Sequence, residues 1–274
     1  MNRKSTSKAA RLAMAVAAIL LTVPLFWVGM TLQRKTQSRL LRFLFVLVGI
    51  VIAVPGFLLV VYYTHLFDSA RWFYAFRTSR FSEISVCGLG WIAGAFYSWL
   101  DPETLGGKLF WPAALFAFVS FRFIKPVLDP IDLDKLQDHY PGGACLQTTY
   151  STCGPASSAS LLQAFGQDAS EQQLARESFT SKGGTEIWYL ARAFRRRGFR
   201  TNFVIQSPDH IFPPSPSIAG VVLRGGQGHF IALLNDEAGR MTVVDPLKGK
   251  FVVTSQQLKA KYRFSGLFLV VRRG

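Results

Sequence analysis

Length, composition and cysteine content exclude several classes of protein. The chain has 274 residues, half of them hydrophobic, and its mean hydropathy of +0.24 is high for a purely soluble protein. Its three cysteines lack the regular spacing of a disulfide framework. No Cys-x-x-Cys pair and no Cys/His cluster at zinc spacing occurs, so neither a metal nor another cofactor is predicted.

The formal net charge of +15 raises the question of a nucleic-acid partner. Most of the excess flanks apolar segments, however, where basic residues meet anionic lipid headgroups and set membrane topology. No signature of a nucleic-acid-binding module occurs, and the Arg195–Arg197 run ends a predicted helix, where cations suit the helix dipole. The charge therefore favours a lipid bilayer as partner and no nucleic acid.

Four apolar segments in the first 124 residues predict membrane-spanning helices. The first two are uncharged and close to the roughly 20 residues that cross a bilayer, and the other two are shorter. The predicted spans are residues 12–30, 45–63, 84–100 and 109–121. For the two shorter segments, helices buried in a protein core are the alternative.

The first segment also resembles a secretory signal, because basic residues precede it. No small-x-small cleavage site follows it, and further basic residues such as Arg34 and Lys35 come next. An uncleaved helix is therefore predicted, in a multi-pass protein of the cell (inner) membrane. The distribution of basic residues between the spans favours a cytoplasmic location for the C-terminal half.

The composition changes near Pro126, which predicts a domain boundary. Residues 1–125 form the predicted membrane domain, residues 126–139 form a linker with four aspartates, and residues 140–274 form a second domain. Helical patterns fill the first half of this second domain and strand patterns the second half. The expected fold class is α+β, with helices packed on an antiparallel sheet.

Capping residues and apolar periodicity locate the elements of the second domain. Gly166 suits the end of its first helix, while Ser170, Thr185 and Ser255 can cap the later ones. The predicted helices are residues 154–165, 171–179, 186–197 and 256–262, and the predicted strands are residues 199–205, 218–223, 229–235, 241–244, 250–254 and 267–271.

Cys153 lies at the start of the first of these helices and is followed by Gly154 and Pro155. A helix N-terminus lowers the pKa of a thiol and favours the nucleophilic thiolate, and proline is favoured in the first helical turn. Cysteine is also a common small core residue, but the polar sequence before Cys153 and the Gly-Pro pair after it argue against that alternative.

His229 and Asp245 are the predicted partners of this thiol. His229 begins an apolar strand, and Asp245 follows the next strand across a short hairpin, so the two side chains are expected to be neighbours. A carboxylate in this position fixes the tautomer of an imidazole and stabilises its charged form. His210, in a proline-rich loop, and His139, after the acidic linker, are the alternative bases.

Gln147 lies six residues before Cys153. Its side-chain amide can donate a hydrogen bond to an oxyanion, together with the backbone N–H of Cys153. Glutamine is common on protein surfaces, so this assignment depends on the other three residues.

Taken together, these residues resemble the bacteriocin-processing, double-glycine leader peptidases, which have a papain-like fold and often form a domain of peptide-exporting ABC transporters. The resemblance covers residues 142–274 and rests on the spacings Gln-x5-Cys and His-x15-Asp. It also rests on four short segments, namely Cys-Gly-Pro-Ala at 153–156, Gly-Thr at 184–185, His-Phe-Ile at 229–231 and Asp-Pro at 245–246.

The resemblance implies a membrane-bound cysteine peptidase with Cys153 as nucleophile, His229 as base, Asp245 as its orienting carboxylate and Gln147 in the oxyanion hole. It implies a peptide or protein substrate, cut after Gly-Gly in leader peptides. No G-x-x-x-x-G-K-[ST] phosphate loop occurs, so a peptide transporter acting with this chain would be a separate protein.

Two other functions are compatible with the same residues. A non-catalytic domain with this fold could bind an exported polypeptide without cleaving it, although the presence of a cysteine favours an enzyme. An amidase or acyl transferase could use the same triad on a non-peptide substrate.

Overall fold

The chain folds into two compact units. The computed structural model describes residues 3–61, 64, 66–79, 82–100, 107–115, 117, 129–207, 210–237 and 240–274. The first unit comprises Met1–Asp68 and Ser79–Val127, and the second comprises Ser69–Thr78 and Leu128–Gly274.

The first unit is mainly helical in its described part. Its elements are α1 (Arg3–Lys35), α2 (Arg39–Val61), a 3₁₀ turn (Ile84–Gly88), α4 (Leu89–Leu100) and a helical stretch at residues 107–115, while α3 (Arg71–Thr78) belongs to the second unit. Two helices are long and apolar enough to cross a membrane, over Val16–Lys35 and Arg39–Leu59.

These two helices contain the first two predicted spans, apart from residues 62–63, which lie outside the described residues. The third predicted span, residues 84–100, is a shorter apolar helix that opens with the 3₁₀ turn. The fourth is helical as far as residue 115, and residues 116 and 118–121 lie outside the described part of the chain.

Glycines let α4 lie close against α1. A Cβ atom added at Gly90 would lie 2.5 Å from the carbonyl oxygen of Thr22, and one added at Gly94 would lie 2.0 Å from that of Phe26. Gly90 and Gly94 are four residues apart and share one helix face, so only hydrogen atoms separate the two backbones there. Small residues at helix contacts are typical of packing between apolar helices.

The second unit is an α+β domain, as the sequence predicts. Its helices are α3, α5 (Cys153–Ala164), α6 (Glu171–Glu177), α7 (Ile187–Arg195) and α8 (Ser255–Lys261). Its strands are β1 (Phe199–Ile205), β2 (Ser217–Val222), β3 (Gly228–Glu237), β4 (Arg240–Asp245), β5 (Gly249–Thr254) and β6 (Arg263–Arg273). The six strands form one antiparallel sheet in the order β1-β6-β2-β3-β4-β5.

The two faces of this sheet are covered by different helices. Successive side chains of a strand point to opposite faces. On β3, Ile231 packs into a buried cluster with Leu258 of α8, whereas the Phe230 ring lies against Gly154 of α5. The domain therefore has α8 on one face and α5 on the other.

The capping predictions are confirmed for one helix and corrected for two. Ser170 caps α6 by accepting a hydrogen bond from the backbone N–H of Gln173. Thr185 does not cap α7, which begins after Glu186, because its hydroxyl is 2.7 Å from that of Thr180 instead. Thr254, rather than Ser255, caps α8.

Helix α3 is a part of the second unit that the sequence placed in the membrane domain. It packs against α7 and β1. The Arg192 guanidinium of α7 donates hydrogen bonds of 2.7 Å and 3.0 Å to the carbonyls of Arg77 and Thr78. The Tyr74 and Phe203 rings lie 5.3 Å apart. These contacts attach a segment distant in sequence to the domain.

Candidate active site

Cys153 is the first residue of α5, as predicted, and its side chain is buried. The first N–H groups of a helix have no partner within the helix, and the helix dipole adds positive potential there. Its N-cap residue, Thr152, makes no side-chain cap hydrogen bond. The first N–H groups of α5 therefore lie beside the sulfur of Cys153.

Gly154 allows α5 to approach the rest of the domain closely. A Cβ atom added at Gly154 would lie 3.1 Å from Cδ1 of Leu190 and 3.4 Å from Cδ2 of Phe230. Because Phe230 directly follows His229 on β3, the glycine brings the helix start towards the histidine.

His229 and Asp245 are brought together as the sequence predicts. Nε2 of His229 lies 2.9 Å from Oδ1 of Asp245, and both side chains are buried. His229 lies near the start of β3 and Asp245 ends β4, and because these strands pair antiparallel, the two residues share one end of the sheet. The imidazole is also hydrogen-bonded to the Cys153 thiol. Since Nε2 is bonded to Asp245, the remaining ring nitrogen of His229 is Nδ1.

The electrostatics of the histidine follow from these contacts. Burial lowers the pKa of His229, but its hydrogen bonds to Asp245 and Cys153 outweigh that effect and raise the pKa to about 9. The protonated imidazolium is therefore favoured at neutral pH, which is the form that stabilises an adjacent thiolate.

Asp245 has a complete set of hydrogen-bond donors around its carboxylate. Oδ1 also accepts a 2.9 Å hydrogen bond from the backbone N–H of Leu247, and Oδ2 accepts one of 2.5 Å from the Tyr262 hydroxyl. Burial raises the pKa of Asp245, but the donors, His229 first among them, lower it to about 2. The carboxylate is therefore ionised at neutral pH although it is fully buried.

Tyr262 is a site residue that the sequence analysis missed. It follows the last residue of α8, and its buried hydroxyl reaches Asp245 from the side opposite His229. Burial raises the pKa of Tyr262, and the neighbouring carboxylate adds to the effect, so it remains a donor. A tyrosine at the end of a short helix resembles an ordinary core residue, so sequence alone carries no signal for this contact.

Gln147 lies in a loop that is tied to the same end of the sheet. Its backbone N–H donates a 3.0 Å hydrogen bond to the carbonyl of Pro246, the residue after Asp245. Its side-chain Nε2 donates to the carbonyl of Thr149 at 2.8 Å. A primary amide has two N–H groups, so one donor remains for an oxyanion.

Glu171 holds this loop in place and was also missed as a site element. Its fully buried carboxylate accepts hydrogen bonds of 2.8 Å from the Thr148 backbone and 2.6 Å from the Thr148 hydroxyl. The sequence analysis treated Glu171 only as the first residue of a helix. Its partner is 23 residues away in the chain, which no local pattern reveals.

The alternative residues lie apart from this arrangement. His139 and His210 are both exposed, and His139 forms an isolated β-bridge with Leu146. Cys145 is fully buried and its backbone N–H donates to Ser160. Burial raises the pKa of the Cys145 thiol to about 12, which disfavours the thiolate. The structure thus groups Cys153, rather than Cys145, with a histidine.

Comparisons with known proteins agree with this fold. Residues 143–274 match the model of the Peptidase C39 family. An uncharacterized protein of Methanothermobacter thermautotrophicus is 26% identical over 133 residues, which are 47% of this chain and 87% of that protein. An uncharacterized protein of Methanothermobacter marburgensis is 27% identical over 132 residues, which are 46% of this chain and 86% of that protein.

Two solved structures show similarity to the same part of the chain. The peptidase domain of Streptococcus ComA, a bi-functional ABC transporter involved in a quorum-sensing pathway, is 21% identical with a TM-score of 0.41; the match covers 50% of this chain and all of that domain. A double-glycine motif protease from an AMS/PCAT transporter, in complex with the leader peptide, is 19% identical with a TM-score of 0.40, covering 51% of this chain and 96% of that one.

Residues 143–274 are therefore similar to the Peptidase C39 family. The resemblance to double-glycine leader peptidases inferred from the sequence is confirmed by the family match.

Proposed function

We propose that this chain is a membrane-bound cysteine peptidase. The observation that carries the proposal is the position of His229, which is hydrogen-bonded both to Asp245 and to a thiol at a helix N-terminus. A nucleophile, a base in contact with it and a group that orients the base are the parts that covalent hydrolysis requires.

Acylation begins with the Cys153 thiolate attacking the carbonyl carbon of the scissile peptide bond. The tetrahedral oxyanion is stabilised by the backbone N–H of Cys153 and by the amide of Gln147. His229 then transfers its Nδ1 proton to the leaving amine, the C–N bond breaks, and a thioester forms on Cys153. Asp245 remains ionised and keeps Nε2–H directed towards itself.

Deacylation uses the now neutral imidazole. Nδ1 of His229 removes a proton from a water molecule, and the resulting hydroxide attacks the thioester carbonyl. Breakage of the C–S bond releases the carboxylic acid and restores the thiolate–imidazolium pair. No group outside the chain and the water molecule is needed for the cycle.

The proposed substrate is a peptide or protein, cut after Gly-Gly in a leader sequence. This specificity follows the family resemblance. The proposed export partner is a separate peptide transporter, which also follows the family resemblance.

The proposed location is the cell (inner) membrane, with several spans and the peptidase domain in the cytoplasm. Support comes from the outward faces of α1 and α2, which expose large apolar side chains such as Leu20, Leu40, Val51 and Phe57. Apolar surface of this extent is stabilised by lipid or by another protein rather than by water.

The decisive experiment compares Cys153→Ala with Cys145→Ala in the full chain. Cys153→Ala should abolish cleavage and labelling by a thiol-directed probe at pH 7, whereas Cys145→Ala should retain both. Cleavage by the Cys153→Ala protein would exclude this mechanism. Labelling of Cys153 without cleavage of any peptide, but with turnover of amides or thioesters, would favour an amidase or acyl transferase.

A further inference from the structure

The chain after Asp245 is strongly basic. Residues 246–274 contain seven Lys and Arg residues and no Asp or Glu. Five of the seven lie between the end of β4 and the start of β6, namely Lys248, Lys250, Lys259, Lys261 and Arg263. The fold therefore concentrates positive charge around α8.

A cavity of about 560 Å³ opens where α8 runs into β6. We call it the α8 pocket; its lining residues are Ile211, Lys259, Lys261, Tyr262, Arg263 and Phe264, together with Ala260. The wall is therefore mixed, with three cations and the apolar side chains of Ile211 and Phe264. Such a wall fits a ligand that carries both negative charge and an apolar group.

The lysines of the α8 pocket are held by aromatic rings. Nζ of Lys259 lies 4.7 Å from the centre of the Phe212 ring, which is 75% exposed, and Nζ of Lys261 lies 3.6 Å from the centre of the Phe251 ring. Within the described part of the chain, neither ammonium forms an ion pair with a carboxylate. A cation–π contact leaves the positive charge available to an anionic ligand.

The α8 pocket lies directly behind the candidate active site. Tyr262 lines the pocket and its hydroxyl binds Asp245, which binds His229. Lys248 continues the positive charge towards the site, since its Nζ is 3.7 Å from Oδ2 of Asp245 and 5.0 Å from the centre of the Tyr262 ring. A chain of side-chain contacts through Tyr262 and Asp245 therefore connects the pocket to His229.

We propose that the α8 pocket binds an acidic segment of the peptide substrate, away from the scissile bond. The segment would place Asp or Glu carboxylates against Lys259, Lys261 and Arg263, and an apolar side chain against Ile211 and Phe264. This inference rests on the proposed peptidase function. It adds a charge-based contribution to substrate recognition beside the proposed cleavage after Gly-Gly.

The test uses the full chain in nanodiscs of phosphatidylcholine, which has no net charge. Two peptides share the same residues around a Gly-Gly cleavage site and differ only in an upstream segment. In the first peptide, the Glu peptide, this segment has four Glu residues and one Leu. In the second, the Gln peptide, it has four Gln residues and one Leu. The Glu peptide should be cleaved with a KM about tenfold lower and an unchanged kcat, and the advantage should shrink at high ionic strength.

The Lys259→Gln/Lys261→Gln protein should lose this advantage while it cleaves the Gln peptide as the wild type does. The matched control is Lys135→Gln/Lys182→Gln, which removes the same charge from two exposed lysines of the same unit and should keep the advantage. Fluorescence anisotropy of the labelled Glu peptide on Cys153→Ala protein measures binding without turnover. That measurement separates loss of peptide binding at the α8 pocket from loss of catalytic activity.

Equal KM values for the two peptides, or an undiminished preference in Lys259→Gln/Lys261→Gln, would overturn the assignment. The assignment would also fail if the Glu peptide had no advantage while phosphatidylglycerol vesicles bound the wild type and not the double variant. In that case the α8 pocket would face an anionic lipid surface.

Discussion

Tyr262 and Asp245 are joined by a 2.5 Å hydrogen bond on the carboxylate oxygen that His229 does not use. The carboxylate is thus held from both sides, by the imidazole on Oδ1 and by the phenol on Oδ2. A carboxylate that cannot rotate keeps the imidazole in one orientation, and small displacements of a catalytic group cost rate steeply. Tyr262 is therefore a positioning residue, acting through Asp245.

Replacement of Tyr262 by Phe is expected to lower kcat by about 10- to 100-fold with little change in KM, because the carboxylate gains rotational freedom. Steady-state kinetics on a Gly-Gly peptide measure this. The control is Tyr140→Phe, which also removes a hydroxyl donor, in this case to the carbonyl of Ala169. Both variants should lose stability, but only Tyr262→Phe should lose kcat; equal losses of kcat in both would refute the positioning role.

Activity should decline as the pH rises through about 9, because the thiolate needs the protonated His229 and the pKa of His229 is about 9. Asp245→Asn removes the negative charge that raises this pKa. The alkaline limb of the kcat/KM profile should therefore move to lower pH, and kcat/KM at the optimum should fall by about 10²-fold or more. An alkaline limb at the same pH in Asp245→Asn would show that another group controls it.

The same two residues should make stability depend on pH. The pKa of His229 is raised from 6.5 to about 9, so its contribution is complete below pH 6.5 and is lost as the pH rises through 9. The pKa of Asp245 is lowered from 3.8 to about 2, so its contribution is present above pH 3.8 and is lost as the pH falls through 2.

Thermal unfolding of the full chain in detergent at pH 6 and pH 10 measures the first of these effects. The midpoint should be lower at pH 10, and the difference should be smaller in His229→Gln, which cannot titrate. A difference of the same size in His229→Gln would assign the pH dependence to other groups.

Arg192→Ala should detach α3 from the second unit. The buried guanidinium donates to two carbonyls at the end of α3, and hydrogen bonds from a charged donor each contribute about 1.5–3 kcal/mol. Thermal unfolding should show a clear loss, and protease cleavage within residues 62–70 should become faster. The exposed Arg195, which donates to Thr201, is the matched control. Arg195→Ala should change neither the unfolding midpoint nor the rate of protease cleavage.

A fragment that begins near Asp138, as the acidic linker suggests, would lack α3. It would also lack the partners of Arg192 and the Tyr74 ring that packs on Phe203. We expect it to be less stable than the same fragment joined to residues 69–78. Equal unfolding midpoints for the two fragments would show that α3 contributes nothing to the domain.

The sequence predicted the local elements of the second domain closely. Strand β1 was predicted with its observed bounds, Phe199–Ile205, and α5 begins within one residue of its predicted start. Turn residues and caps explain this success, because Gly166 takes a positive φ of 74° and Ser170 bonds within its own turn. Signals of this kind involve residues that are near one another in the chain.

Cys153, His229, Asp245 and Gln147 were also accessible from the sequence, because each has chemistry that stands out at its position. His229 and Asp245 lie on the two paired strands of one hairpin, β3 and β4, so their proximity follows from residues that are near one another in the chain. Their catalytic roles remain predictions that the Cys153→Ala and Asp245→Asn experiments test.

Only the tertiary structure decided the contacts between distant segments of the chain. Tyr262 at the end of α8 donates to Asp245 at the end of β4, and Glu171 of α6 binds Thr148 in the loop before α5. Arg192 binds the end of α3 at Thr78, 114 residues away in the chain. Helix periodicity and capping act over three or four residues and cannot specify which helix covers which strand. That choice follows from burying apolar surface and from giving hydrogen-bond partners to buried charged groups such as Asp245, Glu171 and Arg192.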